Sequence, residues 1–192
     1  MYSVFKAFNP KKQIYTQTIL PYISVPYPLP TRSAPYCMIL TLPAIRAQYL
    51  ASTSLLRFQW NTTQTGLQSF RKGMESVAQV IEQHGVRQTL VDMNGLPSLT
   101  LDDQFWVAST WLPRVAKGAV ERVALVLPTR NMYNQLVVEG LVRTGRHFMP
   151  YDIQFFSNTG EAADWLIGDQ PPALAALHSE WPHTPERIQA SA

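Results

Sequence analysis

Hydrophobic and polar positions follow two different rhythms along residues 55–168, and the two rhythms alternate several times. Short apolar runs are typical of buried strands. They are separated by stretches in which apolar residues recur every three or four positions, as on one face of a helix. Such alternation predicts a largely parallel sheet that is covered by helices. The predicted fold class is therefore α/β.

The predicted strands are short and bounded by turn residues. Residues 38–42 are predicted to form an apolar strand or edge segment, and residues 47–51 and 55–60 to form an antiparallel hairpin. Residues 86–93, 121–127 and 152–156 are predicted to be parallel strands, and the middle one is nearly all apolar, as in the centre of a parallel sheet. We expect a mixed, mostly parallel sheet of four to five strands that begins with an antiparallel hairpin.

Four helices are predicted between and after these strands. The first has the clearest apolar stripe, with Gly85 ending it: Leu67, Phe70, Met74, Val77 and Ile81. The second begins at Thr100, takes apolar bulk for the core from residues that include Phe105, and should kink at Pro113, which lacks a backbone N–H. The third has its stripe at Met132, Leu136, Val137, Gly140 and Leu141. The fourth is short and covers residues 161–166.

Composition divides the chain into three parts. Residues 1–37 are predicted to be a disordered basic arm rich in proline and aromatic residues, residues 38–168 the α/β domain, and residues 169–192 a flexible tail. Two other interpretations of the arm stay open. It could dock on a partner through Tyr22, Tyr27 and its proline-rich backbone, or it could be an upstream stretch that is rarely translated before Met38.

Charge is distributed unevenly along the chain. Residues 1–74 carry a formal charge of +8 without any acid, and residues 75–192 carry −5, which agrees with the overall +3. The basic residues of the first part are scattered, whereas a nucleic-acid footprint is clustered on one face. We therefore expect no nucleic-acid partner.

Several other classes of protein are disfavoured by the sequence. No segment approaches the ~18 unbroken apolar residues of a membrane span, so none is predicted. The single cysteine, Cys37, excludes an internal disulfide, and we expect a cytoplasmic protein. The spacing of His178, Glu180 and His183 does not match a zinc motif. We predict no catalytic set, no metal site and no cofactor.

Several segments carry a family resemblance that covers roughly residues 47–168. They are residues 90–95 (LVDMNG), 103–106 (DQFW), 111–113 (WLP), 122–128 (RVALVLP), 153–156 (IQFF) and 161–166 (EAADWL). In these segments and in the order of its elements, the chain resembles STAS domains, which have the SpoIIAA-like fold of anti-sigma-factor antagonists. It is most similar to the divergent bacterial STAS/SEC14-like group.

The resemblance implies a small non-enzymatic module that acts through protein partners or a bound ligand. In regulatory members, a serine or threonine at the start of the second helix is phosphorylated beside an aspartate. Here Thr100 is the nearby hydroxyl, and no serine adjoins Asp102 or Asp103. The usual phosphoacceptor serine is therefore missing. A phosphate on Thr100 would also be repelled by these two carboxylates.

Two groups of residues are candidates for a binding surface. Ligands of open parallel sheets bind beyond the carboxyl ends of the strands, and that edge collects Asp92, Asn94, Thr100, Asp102, Asp103, Thr129, Arg130 and Asn131. The alternative is structural, because Asp92 and Asn94 could merely close a turn and Thr100 cap a helix. A second group, Trp106, Trp111 and Trp165, could line an apolar pocket or simply fill the core.

The sequence thus favours a non-enzymatic regulatory or protein-interaction domain of STAS type that binds a protein near the start of the second helix. The partner could be a second copy of the chain. The alternative is a small-ligand or lipid-binding module that uses the tryptophan-lined pocket. An enzyme is a third hypothesis.

Overall fold

The computed structural model describes residues 37–61, 67–128 and 131–179. Six strands form one sheet in chain order: β1 (Cys37–Leu42), β2 (Ile45–Leu50), β3 (Leu55–Trp60), β4 (Gln88–Asp92), β5 (Arg122–Val126) and β6 (Asp152–Phe156). The pairs β1–β2 and β2–β3 are antiparallel, and β3 to β6 run parallel.

The predicted α/β fold with a mixed sheet and an antiparallel start is confirmed, and it is consistent with a STAS-like fold. The sheet has six strands, more than the four to five predicted, because β1 pairs with β2 along its whole length. Most of the predicted arm, residues 1–36, lies outside the described residues. Cys37, its last residue, is the first residue of β1.

The helices follow the strands in the predicted order. They are α1 (Leu67–His84), α2 (Leu101–Trp106), α3 (Leu112–Val115), α4 (Met132–Gly145), α5 (Thr159–Ile167) and α6 (Pro171–Ser179). A π-helical segment, Val107–Trp111, joins α2 to α3. In it the N–H of Leu112 bonds to the carbonyl of Val107, five residues back. Pro113 follows directly, and its missing N–H explains why the helix departs from α-geometry here.

The order of the strands explains how the two faces of the sheet are covered. Crossovers between parallel strands are almost always right-handed, so successive crossovers in one direction put their helices on one face. We call this side, which packs α1 to α4, the front face. Its core includes the buried side chains of Ile45, Leu56, Phe58, Val77, Val91, Trp111, Leu125 and Val138.

The other side, the back face, is covered by α5 and α6. Its core is smaller and comprises Leu50, Leu55, Leu90, Ala124, Val126, Ala162, Ala163, Leu166, Ile167, Ala173 and Leu177. The last two residues belong to α6, which lies where the sequence predicted a flexible tail. Because Ala173 and Leu177 are four residues apart, they share one side of the helix and bury it. Residues 180–192 of that tail lie outside the described residues.

Two buried polar side chains connect α6 to the sheet. Gln48 and Arg57 are cross-strand neighbours in β2 and β3. Gln48 Nε2 donates to the carbonyl of Ala176 at 3.3 Å, and Arg57 Nη1 donates to that of Leu177 at 3.5 Å. Burial lowers the pKa of Arg57 to about 10, although nearby Asp92 raises it. The guanidinium thus stays charged at neutral pH, and a cation suits the C-terminal end of a helix.

Candidate functional site

The predicted polar surface lies at the carboxyl ends of the parallel strands, where β4 leads to α2 and β5 leads to α4. The structure describes six of its eight residues; Thr129 and Arg130 lie outside the described part of the chain. Asp92 is the last residue of β4 and is buried. Its Oδ1 accepts bonds from the backbone N and from Nδ2 of Asn94, both at 2.9 Å. This geometry is that of an Asx turn, the structural alternative for this pair.

Thr100 and Asp103 form a cap at the start of α2. Thr100 Oγ1 accepts from the backbone N of Asp103 at 3.2 Å and donates to Oδ2 of Asp103 at 2.8 Å. Arg71 of α1 donates from Nε to Oδ1 of the same carboxylate at 2.8 Å. Burial raises the pKa of Asp103, but the hydrogen bonds from Arg71 and Thr100 outweigh it and hold this pKa below its ordinary range.

The two adjacent aspartates therefore face different surroundings. Asp103 is 3% exposed and its carboxylate is occupied by internal partners, whereas Asp102 is exposed to solvent. Sequence reasoning assigned both to one partner surface. Only Asp102 has a carboxylate that another molecule can reach.

The start of α4 is held to the loop before α2 by asparagines and a tyrosine. Asn131 caps α4 by accepting from the backbone N of Asn134 at 3.0 Å. The fully buried Asn134 donates from Nδ2 to the carbonyl of Leu96 at 2.8 Å. Tyr133 donates to the carbonyl of Leu99 and accepts from Gln104 Nε2, both at 3.0 Å. These bonds bring α2 and α4 together at one end of the molecule. Sequence reasoning missed Asn134, because the buried side of this helix was predicted from its apolar residues and asparagine is polar.

Five large apolar side chains are exposed at that end. We call them the docking patch: Leu101, Phe105, Met132, Tyr133 and Leu136. Leu101 is 80% exposed and Phe105 72%, and they are four residues apart, so they share one side of α2. Met132 and Leu136 share one side of α4 in the same way and are 77% and 63% exposed. Isolated exposed apolar residues are common, but five large ones on two helices that are joined by hydrogen bonds are typical of an interaction surface.

The docking patch corrects two expectations. Met132 and Leu136 were predicted to belong to the buried stripe of the third helix, yet the buried side of α4 carries Asn134 and Val138. Phe105 was counted as core bulk and is exposed instead. The signal for the patch was present in the sequence, since both pairs have a spacing of four. Periodicity alone did not show which of two overlapping apolar stripes faces the sheet.

The three predicted pocket tryptophans are not brought together. Trp111 is buried in the front core, and its Nε1 donates to the carbonyl of Met74 at 2.7 Å. Trp106 packs edge-on against Phe70, with ring centroids 6.3 Å apart. Trp165 lies on the back face against Phe156, with ring centroids 5.7 Å apart. A single pocket lined by all three therefore does not form.

A different apolar cavity lies between the front face and the helices that cover it. Its volume is about 120 Å³, and Trp60 and Trp111 are the tryptophans in its wall. Within residues 37–61, 67–128 and 131–179, no cluster of three or more histidine, cysteine, aspartate or glutamate side chains could hold a metal ion. Among the helices of these same ranges, none is long and apolar enough to cross a membrane.

Comparison with known proteins gave no relative. The chain matches no family model, no curated protein and no solved structure.

Proposed function

We propose that this chain is a non-enzymatic, regulatory protein-interaction domain of STAS type that acts in the cytoplasm and uses the docking patch. The exposure of five large apolar side chains on α2 and α4 carries the proposal. Removing apolar surface from water is the main favourable contribution to most protein–protein associations. The patch also includes the start of α2, where the sequence predicted partner contact.

The surroundings of the docking patch favour a particular kind of partner. Asp102 is exposed beside Leu101, so a carboxylate borders the apolar surface. A central apolar contact with a charged rim is the usual anatomy of a protein interface. The partner we propose is therefore a protein with an apolar contact surface and a lysine or arginine that faces Asp102.

The polar residues near the docking patch support an interaction role over a chemical one. Asp92 accepts two hydrogen bonds within its own turn, and the Asp103 carboxylate is occupied by Arg71 and Thr100. The Thr100 hydroxyl is itself used in the cap of α2. A phosphate on Thr100 would break that cap and meet the Asp103 carboxylate. The proposed domain therefore works without a phosphorylation switch at this position.

The test begins with affinity capture from the native host and identification of the captured protein. The purified partner is then titrated against the wild-type chain, Phe105→Asp and Leu136→Asp. We expect each variant to weaken binding by at least tenfold, because a charge would be buried in an apolar contact. Gln79→Asp, on the exposed side of α1, is the control and should bind as the wild type does.

Two further variants refine the test. Asp102→Lys should weaken binding and reduce its salt dependence if a basic residue faces Asp102. Sedimentation of the purified chain shows whether the partner is a second copy, in which case Phe105→Asp should dissociate the dimer. If Phe105→Asp and Leu136→Asp both bind the partner as tightly as Gln79→Asp does, the docking patch is not the interface and the proposal is wrong.

A further inference from the structure

Strand β6 forms one edge of the sheet. It pairs with β5, and no other strand of the described residues pairs with it. The N–H of Asp152 donates to the carbonyl of Glu121 at 2.9 Å, and the carbonyl of Phe156 accepts from the N–H of Leu127 at 3.0 Å. The first and last residues of β6 therefore direct their backbone groups toward β5. The middle residue, Gln154, does the same, because the direction alternates along a strand.

The outer side of this edge presents the backbone groups of Ile153 and Phe155, the two residues between those that bond to β5. A row of unpaired N–H and C=O groups is a template for another strand, and proteins usually protect such an edge with lysine, proline or a bulge. β6 contains neither lysine nor proline, and its residues pair with β5 in unbroken register. The edge therefore lacks these usual protections against strand addition.

The two faces of β6 differ in polarity. Phe155 lies beside Leu125, a residue of the front core, and Ile153 is on the same face because it is two residues away. Phe155 is nevertheless 40% exposed. Asp152 and Gln154 point to the back face and are exposed. The edge thus offers apolar side chains on one face and polar side chains on the other.

A second copy of the chain fits this edge in one antiparallel register that pairs all the residues of β6. Ile153 of one copy then lies opposite Phe155 of the other, and a two-fold axis passes between the two Gln154 residues. Both Ile153–Phe155 pairs are of the hydrogen-bonded type, in which the two residues exchange both N–H···O bonds. The outward N–H and C=O groups of both copies are therefore all paired in this register.

The side chains match in the same register. On the front face, Ile153 and Phe155 of the two copies become neighbours, which covers the exposed part of the Phe155 ring. On the back face, the two Gln154 amides meet at the axis, where each can donate to and accept from the other. Asp152, the charged residue of β6, lies opposite Phe156. The two Asp152 residues are about 13 Å apart along the strands, so no like charges oppose each other.

We propose that β6 is a self-association edge, through which two copies of the chain join by antiparallel pairing of their β6 strands around a two-fold axis at Gln154. The paired strands of five residues are much smaller than the roughly 20–30 residues a side of a standard interface. The dimer is therefore weak and forms as the concentration of the chain rises. The edge shares no residue with the docking patch, so either proposal can fail without the other.

Cross-linking of full-length Gln154→Cys tests the register. In a pair of the non-hydrogen-bonded type the two Cα atoms are ~4.5 Å apart, which a disulfide can span. Asp152→Cys is the matched control, since Asp152 is also exposed on the back face but lies too far from its copy. Under mild oxidation we expect Gln154→Cys to form a disulfide dimer at least about tenfold faster than Asp152→Cys. Cys37 is present in both variants, and peptide mass mapping identifies the joined positions.

Sedimentation of the full-length chain tests the association itself. The wild type should show a monomer–dimer equilibrium that shifts toward dimer with rising concentration. Phe155→Lys should raise the dissociation constant by at least about tenfold, because it places two like charges at diagonal positions of the paired strands. Ile39→Lys on β1, the other edge, is the matched control, since Ile39 is 39% exposed, and it should associate as the wild type does. Thermal unfolding verifies that both variants are folded.

Three results would overturn the proposal. The first is a wild-type chain that sediments as a monomer at every concentration up to its solubility. The second is equal rates of cross-linking for Gln154→Cys and Asp152→Cys. The third is a dimer that Phe105→Asp dissociates and Phe155→Lys does not, because self-association would then belong to the docking patch.

Discussion

Arg71 of α1 donates a hydrogen bond from Nε to Oδ1 of Asp103 in α2, with the two atoms 2.8 Å apart. The guanidinium of Arg71 also lies over the ring of Trp106, 5.6 Å from its centroid. One arginine thus connects the first helix to both ends of a short second helix. Because of this contact, Asp103 has a structural role. The exposed side of α2 carries Leu101 and Phe105.

Replacing Asp103 by asparagine tests this contact. At pH 7 we expect Asp103→Asn to lower the free energy of unfolding by about 1–3 kcal/mol, because a charge-assisted bond to Arg71 is lost in a buried position. The pKa of Asp103 is lowered in the folded protein. Its contribution is therefore complete above the ordinary carboxyl pKa of about 4 and is lost as the pH falls through the lowered value. Urea unfolding at several pH values measures this.

The control for that experiment is Asp102→Asn, since Asp102 is the exposed neighbour. It should change the stability by no more than about 0.5 kcal/mol at neutral pH. The difference between wild type and Asp103→Asn should shrink at acidic pH. A difference that stayed constant with pH would show that the carboxylate charge is not the stabilising feature.

Gly73 in α1 is predicted to tolerate no side chain. A Cβ at this position would lie against the carbonyl oxygen of Pro43 and 2.9 Å from Cδ1 of Ile45. Gly73→Ala should therefore cost about 1–3 kcal/mol, although alanine is the better helix former. Gly140→Ala in α4 is the matched control, because its Cβ would have no neighbour within 4 Å. Thermal unfolding should show that Gly140→Ala stabilises the protein by about 0.5–1 kcal/mol. If Gly73→Ala stabilised the protein as much as Gly140→Ala does, the close approach of α1 to β2 would be refuted.

Leu177 tests whether α6 belongs to the folded domain. Its side chain is 1% exposed against the back face. Leu177→Ala should lower the free energy of unfolding by about 2–5 kcal/mol, and hydrogen exchange of α6 amides should accelerate. Leu136→Ala, in the exposed docking patch, should leave stability almost unchanged. A flexible tail would predict no loss for either variant.

The contribution of Trp111 to stability should come from the hydrogen bond of its indole N–H as well as from the packing of its ring. Its Nε1 donates to the carbonyl of Met74 at 2.7 Å inside the front core. Trp111→Phe should cost about 1–3 kcal/mol in chemical denaturation, because a buried hydrogen bond is lost together with part of the ring. Trp165→Phe, on the half-buried side of α5, serves as the comparison and should cost less. The reverse order would contradict the assignment of Trp111 to the core.

Part of this architecture follows from the chain alone. Alternation of apolar and polar residues every second position sets strands, and recurrence every three or four sets helices. Local turn and cap residues mark their ends: Gly85 has a φ of +58°, as the end of α1 requires. For this reason the α/β class, the antiparallel start of the sheet and the order of the elements were predictable.

The binding surfaces were less accessible to sequence reasoning. Asp102 and Asp103 are adjacent and chemically identical, yet Arg71, 32 residues earlier in the chain, occupies one of them. Trp111 and Trp165 both occur at helical spacing. However, Trp111 belongs to a helical segment that covers the front face of the sheet, whereas Trp165 belongs to α5, which covers the back face. Local pattern carries no information on which distant residue arrives at a given position.

Within residues 38–168, the sequence by itself determined which segments are strands and helices and how they follow one another, because these depend on the periodicity of neighbouring residues. Only the tertiary structure decided which side of α4 is buried, that α6 folds onto the back face, and that a cavity remains between the front face and its helices. These features depend on contacts between residues far apart in the chain, and such contacts are set by the packing of the whole domain.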